Sequence, residues 1–300
     1  MRFPEPPEHL PEDNYARGQM ELRYEDLTQV GRIRLTAIPH AGNIPWREKI
    51  VHHPLSRIRE TGVIPVLSRL VIDGGEGPLP IGPPVDVESC FQLAHSRNEE
   101  GEVERIFLNV WAELFGEIGV SFGARPVNAG ARVRAGRFYS EYVFTRPFAP
   151  PGERKVRRLE SQGLTVVPFD RHEWRSLASV VSLPAVSERL DDGWIDEGVP
   201  VYFGLDHTDW NQHVNSLVYP GLFQEVALRR LAAHGVGGRL QAVQAEVGYR
   251  KPAFPGEALR IVAKAYKYRG GYGVVGWFLP LDAEPPTRPN CYLRMHFEKF

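Results

Sequence analysis

The stretch "SLVYPGLFQEVALRRLAAHG", Ser216 to Gly235, predicts a long amphipathic helix. Apolar residues recur along it at helical spacing, from Leu217 to Leu231. Pro220 is compatible with a helix only in the first turn. Gly235 follows several cations, and this combination is typical of a helix C-terminus. We therefore expect a helix of about four to five turns.

The segments on either side of this helix alternate in the manner of strands. "VPVYFGL" (Val199 to Leu205) precedes it, and four segments follow it: "LQAVQAEVGYRK", "ALRIVAKAYKY", "YGVVGWFLPL" and "CYLRMHFEKF". Turn residues separate the segments, including a glycine-rich hairpin at "GGYGVVG" and the loop "AEPPTRPN". Hairpin-length links predict an antiparallel sheet that covers the helix.

The first half repeats this order of elements. "MELRYEDL" predicts a strand and "VGRIRLTAIPHAGNIPWREKIVHH" an interrupted helical region, and four strand segments follow: "GVIPVLSRLVID", "VDVESCFQLAHS", "VERIFLNVWAELFG" and "ARVRAGRFYSEYVF". "DLTQVG" (Asp26 to Gly31) also resembles "DWNQHVN" (Asp209 to Asn215), and a proline follows each. We interpret this as a duplication, with a first unit at 1–145, a linker with short helices at 146–198, and a second unit at 199–300.

Composition limits the classes of function. The chain of 300 residues carries 36 basic and 37 acidic side chains, so no overall basic field predicts nucleic-acid binding. Cys90 and Cys291 form no CxxC motif, which argues against a disulfide scaffold or a cysteine zinc site and fits a reducing cytoplasm. The N-terminus lacks an apolar core region and no window approaches 18 apolar residues, so we expect neither a standard secretion signal nor a membrane span.

Polar side chains cluster just before the predicted helix. They occupy every second position, at Asp209, Asn211, His213 and Asn215, and an extended turn would send several to one side. Unpaired N–H groups at a helix N-terminus favour an anionic oxygen. Cleavage of a thioester needs such donors and a group that aligns or deprotonates water. Glu225, further along the helix, is a candidate second carboxylate.

Structural roles also explain these residues. Asn215 or Ser216 is a natural helix N-cap, and Asp209 and Asn211 are typical Asx-turn residues. His213 also fits a hydrogen-bonded, partly buried position, Glu225 a solvated one, and Tyr219 the core. The phosphate loop and HExxH motifs do not occur. "GVSFG" (Gly119 to Gly123) and "GYGVVG" (Gly271 to Gly276) have the spacing of the nucleophile elbow and of the dinucleotide motif, but each lies between predicted strands without the following helix that those motifs need.

The stretch "DWNQHVNSLVYPGLFQE" resembles the signature DxNxHVNxxxYxxxxxE of hotdog-fold acyl thioesterases, above all the acyl-ACP thioesterases. "YRKPAFPGEAL" resembles the strand that follows the helix in that family. The resemblance implies an α+β tandem (double) hotdog, each half a long helix wrapped by a curved antiparallel β-sheet. It implies further that Asp209, Asn211 and His213 form the catalytic network, with a backbone N–H near Val214 to Ser216 polarising the carbonyl.

The sequence departs from this family in two places. The plant enzymes carry a Glu–Cys pair on the strand after the helix, whereas the comparable region here is "EVGYRKPAF", with Glu246 displaced and no cysteine. Phe223 stands where the family has a helix tryptophan, and Pro220 and Gly221 follow the tyrosine. These changes leave the predicted fold intact and bear on hydrolysis itself.

We therefore predict hydrolysis of an acyl thioester, on coenzyme A or acyl carrier protein, in fatty acid or polyketide metabolism. The predicted catalytic residues are Asp209, Asn211, His213 and Glu225, and the predicted substrate-binding residues are Val214, Asn215, Ser216 and Tyr219. No metal or redox cofactor is required, and a homodimer is compatible with the prediction. The alternatives are acyl transfer, decarboxylation, dehydration or cyclisation of a carrier-bound acyl or polyketide chain, and a non-catalytic acyl-binding module.

Overall fold

The computed structural model describes residues 2–196, 198–283 and 288–300, and the chain divides into two compact units. The first unit comprises Arg2–Arg175 and the second Ser176–Phe300. The division falls inside the predicted linker, so residues 146–175 pack with the first unit. Residues 284–287 of the predicted loop "AEPPTRPN" lie outside the described residues. Among the described residues, no helix is long and apolar enough to cross a membrane.

The first unit is built on an antiparallel sheet of five strands. They are β1 (Tyr15–Met20), β2 (Ile64–Gly74), β3 (Val85–Arg97), β4 (Val103–Glu117) and β5 (Arg132–Thr145). Their order across the sheet is β1, β3, β4, β5, β2. A short strand, β6 (Asp170–Arg171), adds to β3 in parallel.

The second unit repeats this arrangement. Three short strands, β7 (Glu188–Arg189), β8 (Ile195–Asp196) and β9 (Val201–Tyr202), pair with β11 in the place that β1 takes beside β3. The long strands are β10 (Leu240–Tyr249), β11 (Ala258–Tyr268), β12 (Gly271–Pro280) and β13 (Cys291–Lys299). They follow the order β11, β12, β13, β10. The order of elements that the sequence predicted to recur therefore recurs in sheet topology.

The predicted helix of the second unit is present as α2 (Val218–Ala233). Pro220 is its third residue, within the first turn, where the missing N–H would have no partner in any case. Gly235 adopts a φ of 69° just beyond the last turn and stops the helix. Phe223, Val226 and Leu231 bury one face of the helix.

The first unit does not contain the single long helix that was expected of each half. Its helical region is broken into a 3-10 turn at Ile38–Gly42, a short α1 (Asn43–Pro45), a π turn at Trp46–Ile50 and a 3-10 stretch at Pro54–Thr61. Pro39, Pro45 and Pro54 remove backbone donors, so a regular ladder of hydrogen bonds cannot form.

The strand predicted at "MELRYEDL" is also wrong. The strand ends at Met20, and Tyr24–Asp26 forms a 3-10 turn. The buried Asp26 carboxylate accepts the backbone N–H of Arg23 at 3.0 Å and its guanidinium at 2.9 Å. Such local side-chain hydrogen bonds compete with the hydrogen bonds of a β-sheet, which is why the alternating pattern of "MELRYEDL" does not form a strand.

Candidate active site

The polar stretch before α2 folds into a tight loop rather than an extended turn. A 3-10 turn at Leu205–His207 leads into it, and an antiparallel bridge between Thr208 and Val214 closes it. Inside the loop, the N–H of Gln212 donates to the carbonyl of Asp209 at 2.9 Å. Gln212 has a φ of 63°, in the left-handed region. The alternation expected of an extended chain therefore does not apply here.

The Asp209 carboxylate organises this loop. Its Oδ1 accepts the backbone N–H of Asn211 at 2.9 Å, and its Oδ2 accepts the Asn215 side-chain amide at 3.3 Å. The Asn215 Oδ1 accepts the N–H of Leu217 at 2.9 Å, which ties the loop to the start of α2. The Asn211 side chain is exposed, so only its backbone joins this network.

His213 lies beside the carboxylate and is partly open to solvent. Its Nδ1 is 3.3 Å from the Val214 carbonyl and 3.9 Å from Asp209 Oδ1, and 36% of its side chain is exposed. Both neighbours of Nδ1 are hydrogen-bond acceptors, so they favour the tautomer with the proton on Nδ1. Nε2 is then left with a lone pair that can accept a proton.

The backbone N–H groups predicted to bind the carbonyl oxygen differ in availability. Val214 donates to the Ala253 carbonyl at 2.8 Å, and Asn215 donates to the His207 carbonyl at 2.9 Å. In the described parts of the chain, no acceptor is recorded for the Ser216 N–H. Of the three predicted N–H donors, the one at Ser216, beside the N-terminus of α2, is therefore the candidate for binding the carbonyl oxygen.

Tyr219 lies in the core. It is 3% exposed, and its ring packs against Phe203 and Phe278. Its hydroxyl accepts the backbone N–H of Ala253 at 3.1 Å, and burial raises its pKa. We assign Tyr219 a structural role in place of the predicted contact with substrate.

Glu225 does not join the cluster, which corrects its predicted role as a second carboxylate. It is solvent-exposed, whereas Phe223 and Val226 on either side of it are buried. The helical period places it away from the buried face, and it lies seven positions beyond Val218, about 10 Å along the axis. Among the described residues, the hydrogen bonds and ion pairs of Asp209 do not include it.

The segment after β10 contacts the loop and the start of α2 through its backbone. Ala253 contacts it through both N–H and carbonyl, to Tyr219 and Val214. Glu246 is buried on β10, where its carboxylate lies 3.9 Å from Arg294 Nη1. Cys90 and Cys291 are buried, and burial raises the pKa of the Cys90 thiol to about 12, so it is not a ready nucleophile.

The first unit contains the same loop in backbone. Its bridge joins Leu27 and Ile33, so the offset from the second loop is 208 − 27 = 181 at one end and 214 − 33 = 181 at the other. Three backbone hydrogen bonds of the first loop recur in the second at the same offset. The N–H of Thr28 donates to the Arg32 carbonyl at 2.8 Å, as Asp209 does to His213 at 3.2 Å. The other two equivalent pairs, each given as N–H donor to carbonyl acceptor, are Gly31 to Thr28 (2.9 Å) with Gln212 to Asp209 (2.9 Å), and Arg34 to Asp26 (2.8 Å) with Asn215 to His207 (2.9 Å).

This register assigns different side chains to one backbone. Thr28 occupies the position of Asp209, Arg32 that of His213, and Arg34 that of Asn215. The sequence echo matches Asp26 with Asp209, which is two residues out of this register. Because Thr28 and Arg32 support the same loop, the fold itself does not require a carboxylate and an imidazole there.

The first unit also holds an apolar cavity. It has a volume of about 630 Å³ and lies beside the broken helical region. Its walls include Trp46, Ile50, Ile58, Leu108 and Phe144. Cavities of this size and character bind small apolar ligands.

Known structures of similar fold extend over nearly the whole chain. An acyl-ACP thioesterase from Bacteroides thetaiotaomicron aligns with a TM-score of 0.57 and 14% identity, over 96% of this chain and 99% of that one. A proposed oleoyl thioesterase from Lactobacillus plantarum gives 0.57 and 14%, over 95% and 96%. The 12:0-ACP thioesterase from Umbellularia californica gives 0.55 and 13%, over 95% and 94%.

None of the protein-family models matches the sequence, and none of the curated proteins does. At identities of 13–14% the structural likeness speaks for the fold. The chain has the hotdog fold and resembles the acyl-ACP thioesterases along about 95% of its length.

Proposed function

We propose that this chain is a tandem of two hotdog units and that the second unit hydrolyses an acyl thioester. The observation that carries the proposal is the difference between two loops of one backbone. The loop before α2 holds Asp209, His213 and an open N–H at Ser216, whereas the matching loop holds Thr28 and Arg32. Because the first loop forms with Thr28 and Arg32 at these positions, the fold does not require Asp209 and His213, and these two residues are candidates for catalysis.

The geometry supports a simple course for the reaction. The thioester carbonyl oxygen accepts the Ser216 N–H, and the nearby end of α2 favours the negative charge that develops there. His213 Nε2 takes a proton from water as the water oxygen attacks the carbonyl carbon. Asp209, 3.9 Å from Nδ1, stabilises the imidazolium. The C–S bond then breaks, His213 returns the proton to sulfur, and a free acid and a thiol leave.

An acyl group on coenzyme A or acyl carrier protein is the proposed substrate. Two of the similar structures are acyl-ACP thioesterases, which supports this class of substrate.

Acyl transfer is the second candidate, and one observation favours it. Ala253, in the segment after β10, accepts the Val214 N–H through its carbonyl, and its methyl side chain cannot help to deprotonate water. With His213 as the base, the site suits an acceptor that is already a good nucleophile. In that reaction the carrier thiol still leaves, and the acyl group ends on the acceptor.

Thiol release from a panel of acyl-CoA and acyl-ACP thioesters tests hydrolysis. The wild-type chain should release thiol and free acid, and Asp209→Ala and His213→Ala should each lower turnover about 100-fold or more. Glu225→Gln is a matched control on the same unit and should retain wild-type turnover. Wild-type rates in both site variants, on every accepted substrate, would refute the assignment.

A further inference from the structure

A row of polar side chains crosses the sheet of the first unit. Gln92, Asn109, Glu141 and Arg69 are direct partners across β3, β4, β5 and β2. All four residues are less than 9% exposed. Phe91, Val110 and Ser140, their neighbours in sequence, point to the opposite face because side chains alternate along a strand. The polar row therefore faces away from the apolar cluster that contains Phe91 and Val110.

The segment at residues 170–175 lies over this row and joins it through His172. The backbone N–H of His172 donates to the His95 carbonyl at 2.8 Å, continuing the pairing of β6 with β3. The His172 Nε2 lies 2.6 Å from Glu141 Oε2. Its Nδ1 lies 3.4 Å from the amide nitrogen of Asn109.

The hydrogen bonds of this cluster agree on one tautomer. The Tyr139 hydroxyl donates to Asn109 Oδ1 at 2.9 Å, so the Asn109 nitrogen is the end that donates to His172 Nδ1. Nε2 then carries the proton and donates to Glu141. Burial raises the pKa of Glu141, but hydrogen bonds from His172 and Ser68 outweigh it, so the net pKa is lowered. Glu141 is therefore already partnered.

A cavity of about 450 Å³ opens above the row, and we call it the Arg171 pocket. Four arginines line it, namely Arg2, Arg69, Arg171 and Arg175, together with the rings of Trp111 and Tyr139. Arg69 donates to the Arg175 carbonyl at 2.9 Å and lies close enough to Glu141 to lower its pKa.

The positive charge at this pocket exceeds what its carboxylates neutralise. Glu5 bonds Arg137, Glu141 bonds His172, and Glu173 lies 3.7 Å from Arg175 in an exposed pair. Within the described residues, no hydrogen bond or ion pair is recorded for the Arg171 guanidinium. A concave site with an unpaired guanidinium at its edge attracts an anion.

The second unit shows that the fold does not require this pocket. The matching row there is Tyr266, Gly273, His296 and Gln244. The Tyr266 ring lies across Gly273 and its hydroxyl reaches His296 Nε2 at 2.7 Å. A Cβ at Gly273 would lie 2.2 Å from Tyr266 Cζ, so the ring fills that space. In the first unit Asn109 takes the place of Gly273, and it lines the Arg171 pocket.

We propose that the Arg171 pocket is a second ligand site, which binds a small organic anion through a carboxylate or phosphate group held by Arg171 and Arg175. The body of the ligand contacts Trp111 and Tyr139. The volume lies in the range of small-molecule sites and exceeds the needs of an inorganic ion. Planar guanidinium groups match both carboxylate and phosphate oxygens. The site lies wholly in the first unit and does not depend on the proposed thioester chemistry.

Calorimetric titration of the full chain tests the proposal, with benzoate, phenyl phosphate and inorganic phosphate as probes at constant ionic strength. We expect saturable binding of benzoate or phenyl phosphate, and the tighter of the two identifies the head group. The double variant Arg171→Gln, Arg175→Gln should weaken that binding at least tenfold. The control Arg57→Gln, Arg125→Gln removes two exposed arginines of the same unit outside the pocket and should bind as wild type.

Two results would overturn the proposal. One is the absence of saturable binding by benzoate and phenyl phosphate at millimolar concentration. The other is equal affinity in the wild type and the Arg171, Arg175 double variant, which would place any bound probe elsewhere. Both readouts are binding isotherms, so neither depends on whether the second unit cleaves thioesters.

Discussion

The two units share a sheet order and a loop backbone, yet they differ in the helix that follows and in the chemistry of the loop. In the second unit the loop leads into the regular helix α2, and in the first it leads into turns broken by prolines. The second loop carries Asp209 and His213 where the first carries Thr28 and Arg32. The features that the two units share are those that the fold needs, and the loop side chains that differ are those that a reaction would need.

The two units differ in the polar row of the sheet and in the side chains of the loop. The second keeps its polar row closed, with Tyr266 over Gly273, and places titratable groups in the loop. The first opens the equivalent row into a pocket lined by arginines and places Thr28 in the loop. One unit therefore serves as an internal reference for the other, and exchanging residues at matched positions tests the account.

The largest expected effect comes from giving the second loop the side chain of the first. Asp209→Thr should lower thioester turnover about 100-fold or more, because the partner of His213 is lost. The melting temperature of this variant should change little, because Thr28 supports the same loop backbone in the first unit. Turnover and thermal unfolding, measured on one preparation, check both parts. The mirror change, Thr28→Asp, should leave turnover as it is, and an equal loss there would remove the distinction between the loops.

Gly273→Ala should destabilise the second unit by about 3 kcal/mol, since the buried Tyr266 ring leaves no room for a methyl group. Urea unfolding gives this free energy. Gly237→Ala is the control, because nothing lies within 4 Å of a Cβ there, and its effect should stay within about 0.5 kcal/mol. A Gly273→Ala chain as stable as the control would show that the row of the second unit is not closed as described.

The two rows should also differ in their response to acid. Burial lowers the pKa of His296 to about 3, below the value of about 6.5 for an unfolded histidine. Between those values the unfolded chain binds more protons, so the free energy of unfolding falls as pH falls, by up to ~1.4 kcal/mol per pH unit. Glu141, with its lowered pKa, contributes stability that is lost only below about pH 4.3.

Unfolding by urea at pH 7.5 and pH 5.0 separates these contributions, because of Glu141 and His296 only His296 acts in that interval. His296→Gln should lose less stability than the wild type over this range. Equal losses in the two chains would mean that His296 becomes protonated within the fold.

The smallest effect concerns one loop residue. Gln212 has a φ of 63°, where the first loop has Gly31 at 72°. Gln212→Gly should stabilise the chain by about 0.5 kcal/mol, since glycine adopts this conformation without steric cost. Gly31→Gln should do the reverse and cost more, because its Cβ would lie 2.7 Å from Pro78 Cβ. Melting temperatures of the two variants should move in opposite directions, and a shared direction would contradict the matched register.

The helix α2 and the long strands could be predicted from sequence because their signals are local. Pro220 and Gly235 mark the ends of the helix, and alternation marks the strands. The strand at "MELRYEDL" was misplaced because a buried Asp26 holds its own turn. The match of Asp26 with Asp209 failed because hydrogen bonds, which sequence letters do not record, pair Thr28 with that position.

The candidate site was only partly predictable from sequence, because contacts between distant residues leave no local signal. Asp209, Asn215 and His213 are close in sequence and lie together, whereas the facing of Glu225 depends on which side of α2 is buried. Glu141 and His172 form one cluster although one lies within a strand and the other in the predicted linker. No spacing rule brings them together, because the contact arises from the pairing of β6 with β3.

Hydrolysis in oxygen-18 water shows whether water is the acceptor of the acyl group and whether Asp209 is needed for its attack. The wild-type chain, given an acyl-CoA or acyl-ACP thioester, should yield a free acid with one labelled carboxyl oxygen, and Asp209→Thr should yield about 100-fold less of it in the same time. An acyl group transferred without label to another acceptor would rule out hydrolysis, and labelled acid formed equally fast by Asp209→Thr would rule out a catalytic role for this loop.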